Sequence, residues 1–154
     1  MRAFNVYEAQ VQYDPDEPEG YRGGVAHFKE AIGARTMTGK LFELPPGQAL
    51  CPYHWETDEE WLLLLKGRLR VRHPEGEDEI GPGDLVAFPG GPEGAHKTTA
   101  VGDEPARFVF LSTHNFPAIA VYPDSEKVGV WHREGGVDLM VRAGTQLPYY
   151  DGEI

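Results

Sequence analysis

The chain has 154 residues, of which 19 are Gly and 13 Pro, and its formal charge is −11. Chain breakers at that density exclude a long-helix protein, and the acid excess argues against a nucleic-acid or anionic-membrane partner. No window reaches the length of an apolar membrane span, Met1 does not lead into a secretory signal, and a lone Cys51 excludes an internal disulfide, so a reducing, cytoplasmic setting is expected.

Residues 1–13 carry Phe4, Val6, Tyr7 and Val11, and their spacing predicts a strand. An acidic, proline-spaced loop follows over 14–20, where prolines lack backbone donors and like charges repel. The one short helix predicted lies at 27–34 and ends near Gly33. From Thr38 onward, short apolar runs alternate with Gly/Pro turns such as Pro45-Pro46-Gly47, Gly81-Pro82-Gly83 and Pro89-Gly90-Gly91. Turns at that spacing predict an all-β sandwich or barrel. Arg68-Leu69-Arg70-Val71-Arg72 alternates strictly, giving one apolar and one wet face. In the run at 60–66, Leu62 and Leu64 share a face with Glu60, while Trp61, Leu63 and Leu65 take the other. Both faces of that strand need cover, from the interior on one side and from another segment or subunit on the other. Weaker strand signals at 118–122, 128–131 and 139–142 read as an extension packed on the barrel, because about 40 residues would make a marginal domain.

The chemistry-bearing residues cluster around two of these turns. On a strand His54 and Glu56 point to the same face, and a turn at Thr57-Asp58 swings Glu60 back toward them. His96 follows the glycine-rich turn after Pro89. Two imidazoles and two carboxylates converging inside a barrel suit Mn²⁺, Fe²⁺, Ni²⁺ or Zn²⁺, and the carboxylates balance the ion's charge. The same four groups without metal form a partly protonated His–Glu network, since unpaired buried charge is costly. His27, His73, His114 and His132 lack ligand spacing and are expected to be surface or hydrogen-bonded histidines. Cys51 reads as an inert small apolar residue, and 75–79 as a solvated acidic turn. Phe88 and Met37 are expected on the interior wall, and Tyr53 and Trp61 away from the site, at a subunit interface. Trp55 and Trp131 fit either a pocket wall or packing. No phosphate loop or nucleophile elbow is present.

Gly47-x6-His54-x-Glu56-x3-Glu60-x6-Gly67, followed by Gly83-x5-Pro89-x-Gly91-x4-His96-x3-Ala100, resembles the paired signature of the cupin superfamily, G-x5-H-x-H-x3,4-E-x6-G and G-x5-P-x-G-x2-H-x3-N. The run 120–129 and the closing 149–153 are similar to small single-domain bacterial cupins. The resemblance implies an all-β double-stranded β-helix, a jelly-roll barrel with a metal or ligand site in its mouth. It also implies one domain over 1–154, with a barrel core at about 38–113 and extensions at 1–37 and 114–154. Carried over by position, the ligand set is His54, Glu56, Glu60 and His96. Glu56 stands where the family has a second histidine, which makes the site harder, and Ala100 replaces the motif asparagine.

Two functional readings follow. The first is a metal-dependent enzyme of the oxygenase, isomerase, lyase or hydrolase type, acting on a small polar molecule, with Glu56 as ligand or general base. The second is a metal-free, non-catalytic ligand-binding or sensor protein. The two-faced strand at 61–65 and the strand-forming ends point to a homodimer.

Overall fold

The computed structural model describes residues 1–113, 115–132 and 138–153. The strands are β1 (Gln12–Tyr13), β2 (Gly24–His27), β3 (Met37–Leu44), β4 (Trp55–Glu56), β5 (Glu60–Lys66), β6 (Arg68–His73) and β7 (Gly76–Ile80). They continue as β8 (Leu85–Phe88), β9 (Lys97–Val101), β10 (Ala106–Thr113), β11 (Ala118–Tyr122), β12 (Lys127–Trp131) and β13 (Leu139–Arg142). They pair antiparallel in three sheets, β1-β2-β3-β10-β5-β8, β7-β6-β9 and β13-β12-β11-β4, wound as a double-stranded β-helix.

Alternation along each strand builds the core. Leu62 and Leu64 of β5, Leu69 and Val71 of β6, Phe108 and Phe110 of β10 and Leu44 of β3 all turn inward and are buried. They fill the space between the six-stranded and three-stranded sheets. The turn joining β5 to β6 is the single residue Gly67, at φ +78°. A Cβ there would lie 2.6 Å from the carbonyl oxygen of Pro105, so only glycine makes this corner without strain.

A second apolar cluster sits on the outer face of β3 and β10, around Phe28, Leu41 and Val109. The N-terminal segment covers it with Phe4, Val6, Ala9 and Val11. The strand expected over 1–13 shrinks to Gln12–Tyr13. The apolar residues before it pack as a strap and leave the sheet hydrogen bonds to β2. Arg107 fastens the strap, donating to the carbonyls of Val6 (3.0 Å) and Ala9 (2.5 Å) and pairing with Glu43 (2.9 Å). The helix expected at 27–34 is α1 (Lys29–Ile32), a single turn. It starts late because residues through His27 pair with β3, and it stops where Gly33 adopts a left-handed φ of 74°.

Of the outward residues of β5, Leu65 packs under the strap, while Trp61 is 44 % exposed. Leu85 on the neighbouring β8 is 58 % exposed. Tyr53 is not at a surface interface. It is buried inside the chain, with the Arg72 guanidinium 3.8 Å from its ring centroid. Met37 also departs from expectation: Thr38 takes the inner position at the start of β3, and Met37 faces out. Among the described residues no helix is long and apolar enough to cross a membrane.

Candidate metal centre

His54 and His96 face each other because the backbone pairs them. His54 N–H donates to the His96 carbonyl (3.1 Å), and His96 N–H donates to the His54 carbonyl (2.8 Å). Their ring centroids lie 4.8 Å apart. Glu60 opens β5, opposite Ser112 on β10 and Phe88 on β8, and its side chain enters the same space. One donor atom each from His54, Glu60 and His96 lies within 4.8 Å of the others.

The histidines are oriented alike. His54 Nδ1 is 3.0 Å from the Pro52 carbonyl, and His96 Nδ1 is 2.9 Å from the Gly94 carbonyl. Each carbonyl accepts the Nδ1 proton, which leaves Nε2 of each ring facing the cavity. Histidine ligands to metals are fixed in this way, the far nitrogen bonded and the near one free. Ring stacking sets the planes. Phe88 lies 3.8 Å from His96, and Tyr122 lies 5.6 Å from His54, both measured between centroids.

Glu56 stands beside this group, outside the mutually close donors. Its Oε1 is 3.5 Å from His54 Nε2, and its side chain is 28 % exposed to the cavity. Without metal the charges arrange themselves. Burial opposes a proton on His54, but the Cys51 sulfur and the Glu56 carboxylate outweigh it and raise its pKa to about 11. Burial and the Glu56 charge push Glu60 up to about 8. Burial lowers His96 to about 4, against the Gly94 carbonyl, so His96 is neutral at pH 7.

The cavity around these groups has a volume of about 560 Å³. Phe42, Leu50, Phe110 and Trp131 form apolar walls, and Tyr21 and the exposed Lys40 also line the cavity. Sequence reasoning missed Asp58 and Tyr122. Asp58 is buried, and its Oδ1 accepts from Thr113 Oγ1 (2.5 Å), Asn115 Nδ2 (2.6 Å) and Asn115 N–H (3.2 Å). It thereby holds the turn that returns Glu60 to Glu56. Both partners lie more than 50 residues along the chain, so no local signal marks it.

The remaining histidines stay apart from the centre. His27 and His132 are exposed, and His73 Nε2 is 3.1 Å from Asp78. His114 lies outside the described residues. Cys51 is half-buried on the cavity wall, its sulfur 3.5 Å from His54 Nδ1. The acidic run expected as a turn at 75–79 is largely strand β7, paired with β6, and its Glu77 and Glu79 pair with Arg70 across the hairpin.

Gly94 supports the centre by its lack of a side chain. It is buried in a 3-10 turn (Pro92–Gly94), where a Cβ would lie 1.9 Å from the Pro89 carbonyl oxygen. A backbone atom cannot swing aside, so Gly94→Ala must displace the turn whose carbonyl orients His96. The expected cost is about 1–3 kcal/mol, or roughly 2–12 °C in melting temperature. Mn²⁺ affinity is expected to fall about 10–100-fold with it. Thermal melts and Mn²⁺ titration check this, and wild-type values in both would refute it.

The cupin domain family model matches residues 40–112. No curated protein matches the chain. Among solved structures, a candidate sugar phosphate isomerase from Acidithiobacillus ferrooxidans superposes with a TM-score of 0.80 at 21 % identity, covering 93 % of this chain and 91 % of that one. A cupin described as a sugar phosphate isomerase from Silicibacter pomeroyi gives 0.79 at 21 % identity, covering 96 % and 97 %. A polyketide cyclase from Streptomyces resistomycificus gives 0.61 at 21 % identity, covering 77 % and 83 %.

Proposed function

The chain belongs to the cupin superfamily, and on that footing we propose that it is a metal-dependent isomerase of small hydroxy-carbonyl compounds. His54, Glu60 and His96 hold a divalent ion, one of Mn²⁺, Fe²⁺, Ni²⁺ or Zn²⁺. The observation that carries the reading is the matched Nδ1 bonds of the two histidines, which commit both Nε2 atoms to the cavity beside a carboxylate. A bound divalent ion supplies Lewis-acid polarisation of a carbonyl oxygen.

The chain's own groups do the proton work. His54 cannot both ligate through Nε2 and carry a proton there, so ligation leaves Glu56 as a free carboxylate facing the cavity. Glu56 takes the proton from the carbon next to the carbonyl and returns it to the former carbonyl carbon. The hydroxyl proton passes to the former carbonyl oxygen, and no oxidant or reductant is consumed. The apolar walls of Phe42, Leu50 and Phe110 limit water around the exchanging carbon. The isomerase class is supported by the two structural neighbours so described, which match nearly the whole chain in fold.

The test is proton exchange. Mn²⁺-loaded protein is incubated in D₂O with a panel of aldoses, ketoses and their phosphates, followed by NMR. Deuterium incorporation at the carbon beside the carbonyl is expected for at least one compound. No exchange in any of them rejects the isomerase reading.

The reading includes a homodimer built on the outer face of β5 and β8. Trp61 pairs with Ala87 and Leu63 with Leu85 across that face, and Trp61 and Leu85 leave apolar surface uncovered. Light scattering should show a dimer for the wild type and a monomer for Leu85→Glu. A monomeric wild type would reject this part.

A further inference from the structure

Lys40 is out of place for a wall residue. Along β3 the inner positions are Thr38, Lys40, Phe42 and Leu44, and all four line the cavity. Gly39 and Leu41 turn outward, where Phe28 packs over them. Alternation therefore aims a lysine into the barrel mouth where the strand would otherwise carry an apolar residue. Among the described lining residues it is the sole Lys or Arg, in a chain of net charge −11.

Among the described residues no carboxylate lies in contact with its ammonium, and its charge acts on Glu60 only across the cavity, favouring that carboxylate's ionised form. Lys66, Arg68, Arg70, Arg72 and Arg107 each have a carboxylate within 4.0 Å, whereas Lys40 has none among the described residues. Two lining carboxylates are already engaged: Glu17 accepts the Gly23 N–H at 2.8 Å, and Asp58 accepts from Thr113 and Asn115. Lys40 lies across β10 from Glu60, with Lys40 opposite Phe110 and Glu60 opposite Ser112. Two strand spacings and a two-residue offset along β10 separate their backbones, roughly 12 Å. That interval suits a molecule of a few carbons with its reacting end at Glu60 and its other end at Lys40.

Resting on the isomerase reading, we propose that Lys40 is the specificity-determining residue of the cavity and that the substrate carries an anionic group, carboxylate or phosphate, which Lys40 binds. A lysine ammonium is a compact point charge that serves either anion, and its exposure lets the group enter without burying an unpaired charge.

The experiment is calorimetric titration of Mn²⁺-loaded wild type, Lys40→Met and Lys40→Arg with glucose, gluconate and glucose 6-phosphate. Saturable binding of at least one anion, tenfold or more tighter than glucose, is expected for the wild type. Lys40→Met should lose tenfold or more of that affinity, and Lys40→Arg should keep most of it. Gluconate as the tighter probe assigns a carboxylate, and glucose 6-phosphate a phosphate. Equal anion affinity in wild type and Lys40→Met overturns the proposal, as does a wild type that prefers neither anion over glucose. Mn²⁺ titration of the same proteins separates the two levels: Lys40→Met should bind the ion like wild type, whereas a wild type that binds no ion rejects the underlying metal reading instead.

Discussion

With Mn²⁺ at a hundred times its dissociation constant, the wild-type protein should gain about 2.7 kcal/mol of stability. At this chain length that is a rise of roughly 5–11 °C in melting temperature. The variant carrying His54→Ala and His96→Ala should gain nothing. Both histidines present Nε2 to one point, so their joint loss leaves Glu60 as the single remaining member of the close-donor group. Each protein is compared with itself plus and minus metal, so any folding cost of removing His96 from its stack on Phe88 cancels. Proton release gives a second readout. At pH 7 the metal-free centre holds a proton on His54, raised to about 11, and mostly one on Glu60, raised to about 8. His96, lowered to about 4, holds none to lose. Binding should thus expel about two protons near pH 7, and affinity should fall as pH falls. Calorimetry in buffers of different ionisation enthalpy measures that number. A binding event that releases none would contradict these charge assignments.

Glu56→Gln should lower the rate of carbon-bound proton exchange by about 10²–10⁴. Its Mn²⁺ affinity should stay within about tenfold of wild type, the lower edge of what losing a supporting contact costs. Glutamine keeps the shape of the side chain and removes the base. The separation follows from position: Glu56 touches His54 Nε2 at 3.5 Å, but it is not among the mutually close donors. If Glu56 were instead a fourth ligand, affinity and exchange would collapse together. Unchanged exchange in the variant would remove Glu56 from the proton path altogether.

The barrel was legible because its signals are local. Gly67 lies at a one-residue corner, and alternation in 60–66 and 68–73 assigns Leu62, Leu64, Leu69 and Val71 to the interior. Motif spacing brought forward His54, Glu60 and His96, which the fold gathers into one group. Phe88, expected on the inner wall, is the ring stacked on His96. What stayed hidden depends on partners far along the chain. Asp58 reads as an ordinary turn residue until Thr113 and Asn115 reach it. Tyr122 joins His54 because β11 pairs with β4, placing Val121 opposite Trp55. Tyr53 was expected at an interface, but Arg72 of β6 stacks on it and seals it within the chain. The N-terminal strand failed for a related reason. Its apolar residues pack on the outer surface of β3 and β10, and Arg107 takes the carbonyls of Val6 and Ala9 that a strand partner would otherwise use.

Metal content decides most directly between a metal centre and a self-neutralised His–Glu network. Wild-type protein and the variant carrying His54→Ala and His96→Ala are expressed in medium replete with Mn, Fe, Ni and Zn, desalted, and analysed by elemental mass spectrometry. The wild type should retain about one divalent ion per chain, and the variant essentially none. A wild type without stoichiometric metal, or a variant that keeps it, would contradict the assignment of His54, Glu60 and His96.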